Sequence, residues 1–203
     1  MTQQLPKAAS SPRVVFADAN VLYARVLRDY LLYAATEGVI EIVWSRRVLD
    51  EMAEHLVQNI PGFTIDSAEL LVEKMTSFYP DAEVNPEESD YEMLIEFLFP
   101  DEDDKHVFAA VLAAEADIIC TSNKKHFPEE IASHFGVAIM SPDQLLCRMV
   151  KLEPKKMYVA HSDVVRFFPE GTDEGTLAAL GKAGAVLASN LLREMHADHE
   201  KLS

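Results

Sequence analysis

This 203-residue chain reads as an α/β protein with a central parallel sheet in three layers, and three observations carry that expectation. Val14-Val15-Phe16-Ala17 before Asp18, and Ile118-Ile119-Cys120-Thr121, are continuous apolar runs, as in strands buried on both faces of a parallel sheet. Segments with helical apolar spacing alternate with these and other strand-like runs. A hydrophobic content of 49% at this length suffices for one good core and a small appendage.

Residues 1 to 12 are polar, contain Pro6 and Pro12, and are expected to form a disordered arm without a signal peptide. After the first strand, Asn20 to about Glu37 reads as one helix, with Val21, Leu22, Val26, Leu27, Tyr30 and Leu31 at helical spacing and Gly38 as its stop. A strand follows over Val39 to Trp44. Ser45 is the expected N-cap of a helix through about Val57 that carries Glu51. Residues 65 to 79 read as a helix ending at Pro80, and the acidic segment 87 to 99 as a helix ending at Pro100. Asp103 to Ala116 is the clearest helix, with Val107, Phe108, Val111 and Leu112 on one stripe. A strand over 117 to 121, a helix begun by Pro128, a strand over Val137 to Met140 and a helix from Pro142 complete a domain spanning 13 to 150.

The character changes over 151 to 203, which reads as a C-terminal helical extension. Met157, Val164, Val165, Phe167 and Phe168 mark one helix, and Pro169-Glu170-Gly171-Thr172 a turn. From Asp173 a stripe of Leu177, Leu180, Leu187, Leu191, Leu192 and Met195 is interleaved with Gly181, Gly184 and Ala188. This spacing suggests a hairpin of closely approaching helices, with a tail that frays from about His196.

Two well-separated cysteines, Cys120 and Cys147, fit a reducing cytoplasm better than a disulfide framework. No apolar run approaches the roughly 20 residues of a membrane span. The net charge of −16 would repel nucleic acid at long range. Its distribution softens that objection, because residues 75 to 104 hold eleven acids and neither Lys nor Arg. Arg25, Arg28, Arg46, Arg47, Lys105, Lys124 and Lys125 lie close in sequence to the acids considered next.

Ligands of open α/β sheets bind beyond the carboxyl ends of the strands, so Asp18 and Asn123 would share an edge if their strands are neighbours. Asp18 alone could equally be an ordinary helix cap. Asp104 precedes Val107, Phe108 and Val111 by three, four and seven positions and so falls on the buried stripe. Buried carboxylates need partners. Capping by Asp101, with Asp103 and Asp104 favoring the helix dipole, explains acids in this turn but not why one shares the apolar face. A cation shared with Asp18 explains both. Asp50 and Glu51 fall on opposite borders of the Val48, Leu49, Met52, Ala53 and Leu56 stripe, and periodicity does not choose between them.

Other chemistries lack their residues. Asp18-Ala19-Asn20-Val21 has no glycine for a dinucleotide fingerprint or P-loop, and it lacks the second Asp and the Thr of haloacid-dehalogenase phosphatases. No serine sits in a nucleophile elbow. His196 and His199 read as solvated tail residues, and His126 as part of a surface loop.

The motifs resemble those of PIN domains. Val15-Phe16-Ala17-Asp18-Ala19-Asn20-Val21-Leu22 is similar to the family's opening motif, and Val48-Leu49-Asp50-Glu51-Met52 to the second. Asp101-Glu102-Asp103-Asp104-Lys105-His106-Val107 is similar to the third and Thr121-Ser122-Asn123-Lys124-Lys125-His126-Phe127-Pro128 to the fourth. The resemblance implies a PIN-like α/β/α fold and a Mg²⁺- or Mn²⁺-dependent ribonuclease, most often the toxin of a bacterial type II toxin–antitoxin pair. It selects Glu51 over Asp50 and Asp104 over Asp103. The segment beyond residue 150 resembles the extra C-terminal segment of some longer VapC-like toxins.

On this reading Asp18 and Asp104 hold the cation, Glu51 completes the acidic cluster, and Asn123 with Thr121 positions water or phosphate. Arg46, Lys105 and Lys124 are the expected contacts to RNA. Many PIN domains carry Asp where this chain has Asn123, and an amide brings no charge for a second metal. The expected partners are RNA, a cognate antitoxin and a second copy in a homodimer, with no membrane. The rivals are a non-catalytic RNA- or protein-binding module, against which retention of all three acids argues, and a housekeeping PIN nuclease without an antitoxin.

Overall fold

The structure, a computed structural model, describes residues 13–169 and 171–202. The expected arm over 1 to 12, and Glu170 of the expected turn, lie outside the described residues.

Strand β1 is Arg13–Ala17, and the helix expected after it is two helices, α1 Ala19–Tyr23 and α2 Arg25–Thr36. Ala24 between them is extended, with ψ 102°. In an unbroken helix the Leu22 carbonyl would accept from the Val26 amide. Here the buried Arg28 guanidinium donates to it at 2.6 Å, which stabilizes the break. Strand β2 is Ile40–Ser45 and α3 is Arg46–Asn59, capped as expected by the Ser45 hydroxyl, which accepts from the Val48 amide at 3.3 Å.

Helix α4 is Ile65–Phe78, and a short strand without a sequence signal, β3 Glu83–Val84, pairs with Trp44 and Ser45. The acidic helix expected over 87 to 99 shrinks to α5 Glu88–Glu92. The residues after it place Leu94 and Phe99 inside but leave Ile95 and Leu98 72% and 89% exposed, so no continuous apolar face holds a longer helix. A 3₁₀ turn, Glu102–Asp104, leads into α6 Lys105–Ala113. Strand β4 Ile118–Cys120, a 3₁₀ turn Lys124–His126, α7 Glu129–His134, β5 Ala138–Met140 and α8 Pro142–Leu152 follow in the expected order.

All five strands are parallel, in the order β3-β2-β1-β4-β5. The central strand β1 is wholly apolar and buried from Val14 to Ala17, as a strand covered by helices on both faces requires. The fold is therefore a PIN-like α/β/α arrangement with additional C-terminal helices.

Those helices are α9 Pro154–Phe167, α10 Asp173–Lys182 and α11 Val186–Leu202. Helix α9 packs on α2, and α11 packs on α8, α9 and α10. Met157, Val164, Leu177, Leu180 and Leu192 join the same buried cluster as β1. Three details differ from the sequence reading. Leu187 is 66% exposed rather than part of the buried stripe. Gly184 has φ +94° and open space where a Cβ would lie, so it serves the turn between α10 and α11 and not a close helix approach. The tail expected to fray from His196 continues α11 to Leu202. Among the described residues, no helix is long and apolar enough to cross a membrane.

Candidate active site

The chain moves from β1 outward to β2 and β3, and then returns to the other side of β1 for β4 and β5. The β1/β4 junction is thus the topological switch point, where open α/β sheets bind ligands beyond the carboxyl ends of the strands. Ala17 pairs with Cys120, and the Asp18 amide donates to the Cys120 carbonyl at 3.1 Å. Asp18 and Thr121 consequently leave the two strands side by side.

Asp18 is 7% exposed and also caps α1, so the capping role and the site role coincide. Its Oδ1 accepts from the Ala19 amide at 2.7 Å. Its Oδ2 accepts from the Thr121 hydroxyl at 2.6 Å and from the Asn20 amide nitrogen. Burial pushes the Asp18 carboxyl up. The bonds from Thr121, Ala19 and Asn20 oppose that rise, and the charge of Glu51 adds to it.

Thr121 was expected to position water or phosphate. It is fully buried, and its hydroxyl accepts from the Asn123 amide at 3.0 Å and from Asn20 Nδ2 at 3.2 Å while donating to Asp18. With one donor and two acceptors used, its hydroxyl is engaged in orienting the Asp18 carboxylate. Asn20 completes this frame by accepting from the Ser122 amide at 2.9 Å, a role that sequence reasoning missed. Its signal was an amide two residues past a strand-ending Asp, opposite another strand end.

Glu51 lies on the inward border of α3 and Asp50 on the outward one. The Asp50 carboxylate is 53% exposed and paired with Arg46 at 2.9 Å, whereas Glu51 receives His106 Nε2 at 3.0 Å and Arg47 Nε at 3.3 Å. Partial burial pushes Glu51 up, but His106 and Arg47 outweigh it and hold the carboxyl below the usual range. His106 lies in the third motif, two residues after Asp104. It is buried, and its Nδ1 has no hydrogen-bond partner among the described residues.

Asp104, 21% exposed at its side chain, ends the 3₁₀ turn before α6 and is less buried than the apolar stripe implied. Its Oδ2 meets His126 Nδ1 at 3.1 Å, so His126 belongs to the site and is not a bystander in a surface loop. Burial raises the Asp104 carboxyl against the pull of His126, and Asp101 adds to the rise. Asp101 caps the turn through the Asp103 amide at 3.0 Å, as the capping alternative expected. The ligand atoms of Asp101, Asp104 and His126 lie within 4.8 Å of one another, whereas Asp18, Glu51 and Asp104 do not form such a group. The last three are linked by their fields: Glu51 acts on Asp18, and His106, which bonds Glu51, acts on Asp104. Asn123 is half-buried beyond β4, beside this frame.

The basic residues are mostly engaged. Arg28 is buried on the Leu22 carbonyl and cannot meet a phosphate. Arg46 is held by Asp50, Lys105 by Glu102 at 2.6 Å, and Lys124 reaches Gln144 at 3.4 Å. Arg47 bridges Glu51 to Asp103, the latter at 3.8 Å.

The donor set fits a hard divalent cation. Asp18 uses three of about four carboxylate acceptor positions, which leaves one on Oδ1, and Glu51 and Asp104 offer further oxygens. A cation there would offset the burial that raises Asp18 and the smaller repulsion from Glu51.

Comparison with known proteins identifies the family of the segment that carries these residues. A family model described as the PIN domain matches residues 13–125. Over 81 residues the chain is 31% identical to "Putative ribonuclease VapC50" of Mycobacterium tuberculosis, a match covering 39% of this chain and 48% of that protein. The chain thus spans about half the length of this relative. No solved structure matches.

Proposed function

The chain belongs to the PIN-domain family, and from that premise we propose that it is a Mg²⁺- or Mn²⁺-dependent endoribonuclease acting as the toxin of a type II toxin–antitoxin pair. The observation that carries the nuclease reading is Asp18, a carboxylate buried at the switch point and held by three donors with one acceptor position left. A buried charge fixed so firmly needs a positive partner, and among the described residues no Lys or Arg is paired with it. The ribonuclease similarity and the family's RNA chemistry support the substrate class. The toxin role and the antitoxin partner rest on the resemblance to VapC-like toxins.

In this reading Asp18, Glu51 and Asp104 hold the cation, with Asn123 at its border. When bound, the cation supplies Lewis-acid polarization of a phosphoryl oxygen and acidifies a bound water. Thr121 and Asn20 fix the Asp18 rotamer, so the carboxylate pays no reorganization at the moment of reaction. His106 and Arg47 keep Glu51 ionized to lower pH than a free glutamate. His126, whose Nδ1 meets Asp104 Oδ2, would orient that carboxylate toward the cation.

Purified protein incubated with a labeled RNA pool, in Mn²⁺ and in chelator, tests the proposal. Cleavage is expected in Mn²⁺ alone, and Asp18→Asn and Asp104→Asn should each abolish it in folded protein. The double variant should be little worse than either single one, because the ligands act as a unit. Cleavage in chelator, or full activity of either single variant, would overturn the assignment. Coexpression with the product of the adjacent gene tests the antitoxin, which should bind and silence the activity.

A further inference from the structure

Away from the acidic edge, the C-terminal helices bring together a second set of ligand-type side chains that the nuclease reading does not use. His161 on α9, Asp173 at the start of α10 and His196 on α11 place their ligand atoms within 4.8 Å of one another. His161 Nε2 is 3.0 Å from Asp173 Oδ1, and His196 Nε2 is 3.3 Å from the same oxygen. The sequence reading took His196 for a solvated tail residue. Its side chain is instead 21% exposed, and its ring stacks on Tyr158 with centroids 5.5 Å apart.

Those separations match a specific coordination geometry. Zinc binds imidazole nitrogen at about 2.0–2.1 Å and carboxylate oxygen at about 2.0–2.2 Å in a tetrahedron, whose ligand-to-ligand edges are therefore about 3.3–3.5 Å. Two edges of the face formed by His161, Asp173 and His196 already have nearly that length. The third edge, between the two histidine nitrogens, lies within 4.8 Å.

The surroundings supply His161 with the outer-shell partner that a metal-bound histidine requires. Tyr30 Oη lies 2.6 Å from His161 Nδ1, and both side chains are wholly buried. With a metal on Nε2, the proton resides on Nδ1 and is donated to Tyr30 Oη, which fixes the tautomer and the ring plane. Asp173, 46% exposed, faces solvent, so the fourth position is open to a water.

We propose that His161, Asp173 and His196 form a Zn²⁺ site that staples the three C-terminal helices to α2, with Tyr30 orienting His161 from the nuclease core. Two imidazoles and one carboxylate favor zinc over magnesium, whereas the oxygen-only set around Asp18 favors the reverse. The chain thus carries two sites of opposite preference. The three ligands come from three successive helices, and the outer-shell tyrosine from a fourth element more than a hundred residues earlier. A metal there binds the folded arrangement and not the unfolded chain, so it ties the extension to the domain.

The test uses the untagged full-length protein, stripped with chelator and titrated with Co²⁺ and then Zn²⁺. One equivalent of Co²⁺ should give the intense visible absorption of tetrahedral coordination, one equivalent of Zn²⁺ should displace it, and zinc should raise Tm. His196→Ala and Asp173→Asn, checked for fold by circular dichroism, should each lose the absorption and the Tm rise, and Tyr30→Phe should weaken Co²⁺ binding about tenfold. Asp104→Asn should bind as the unaltered protein does. The proposal is overturned by the weak absorption of six-coordinate cobalt, by unchanged binding in either folded ligand variant, or by loss of the signal in Asp104→Asn. Should His196→Ala fail to fold, Asp173→Asn alone decides, because its exposed carboxylate can be neutralized without opening the core.

Discussion

Thr121 shows how one buried hydroxyl can hold a site together. Its buried hydroxyl serves Asp18, Asn20 and Asn123 at once, and Val in its place keeps the shape while leaving those partners short of a bond. Thr121→Val should cost about 1–3 kcal/mol in urea denaturation and lower RNA cleavage, with Thr121→Ser restoring most of both. Unchanged stability would show that the frame around Asp18 is not held by this hydroxyl. Glu51 offers a pH-dependent counterpart. Its folded value lies below its unfolded one, so its ionization contributes stability above the unfolded value, and that contribution is lost as pH falls through the folded value. His106→Leu removes the larger of the two interactions that lower it. The Glu51 titration followed by NMR should then move upward, and the contribution should vanish at a higher pH. Of these residues, Asp18, Glu51 and Asp104 were legible from their strand-end and motif positions. Asn20 and His106 carried no role in the sequence and His126 read as a surface-loop residue, because a hydrogen-bond partner across the fold leaves no periodic trace.

At the scale of elements, the placement of each acid depends on how its helix begins. Ser45 starts α3 and thereby sets the rotation that turns Glu51 inward and Asp50 outward. Ser45→Ala should lower stability by about 1 kcal/mol in urea denaturation and reduce cleavage more than exposed-face changes on the same helix do. The α10–α11 turn makes the opposite point about glycine. Gly184 sits at φ +94° with room around it, so Gly184→Leu is disfavored by backbone conformation and not by a clash, at about 1–2 kcal/mol. Gly181 is different, since a Cβ there would meet Ser189 Oγ at an ordinary 3.9 Å. Gly181→Ala should therefore be close to neutral, and the pair of denaturation midpoints separates the two causes. The small-residue spacing drew attention to the right hairpin, but spacing does not distinguish a turn glycine from a packing glycine.

For the whole molecule, the C-terminal helices are part of the core. Met157 and Val164 on α9 and Leu177 and Leu180 on α10, the two helices packed on α2, share one buried cluster with Tyr30 and Leu31, and Leu192 joins it from α11. Truncation after Leu152 should bare that cluster and yield protein that aggregates or melts well below the full chain, even though Asp18, Glu51, Asp104 and Asn123 all remain. A truncated chain with the original melting temperature in calorimetry would show that the extension stands apart from the fold. The acidic surface has a separate consequence. With a net charge of −16, binding of RNA without divalent cation should be weak at low salt, where repulsion is least screened.

The sequence by itself determined four of the five strands, their alternation with helices and the acid that ends β1, because those features follow from local periodicity and from motifs within a few residues of one another. It also placed the α3 cap and the order of elements from β1 to α8. It did not reveal the break at Ala24, the edge strand β3 or the reduction of the acidic helix to α5, since each is decided by groups far away: the Arg28 side chain, the Trp44 backbone and the partial cover around Leu94. The pairing of His126 with Asp104 and the meeting of His161, Asp173 and His196 belong to tertiary structure in the same way. Contacts between side chains on separate helices depend on how those helices pack, and no spacing along one segment encodes them.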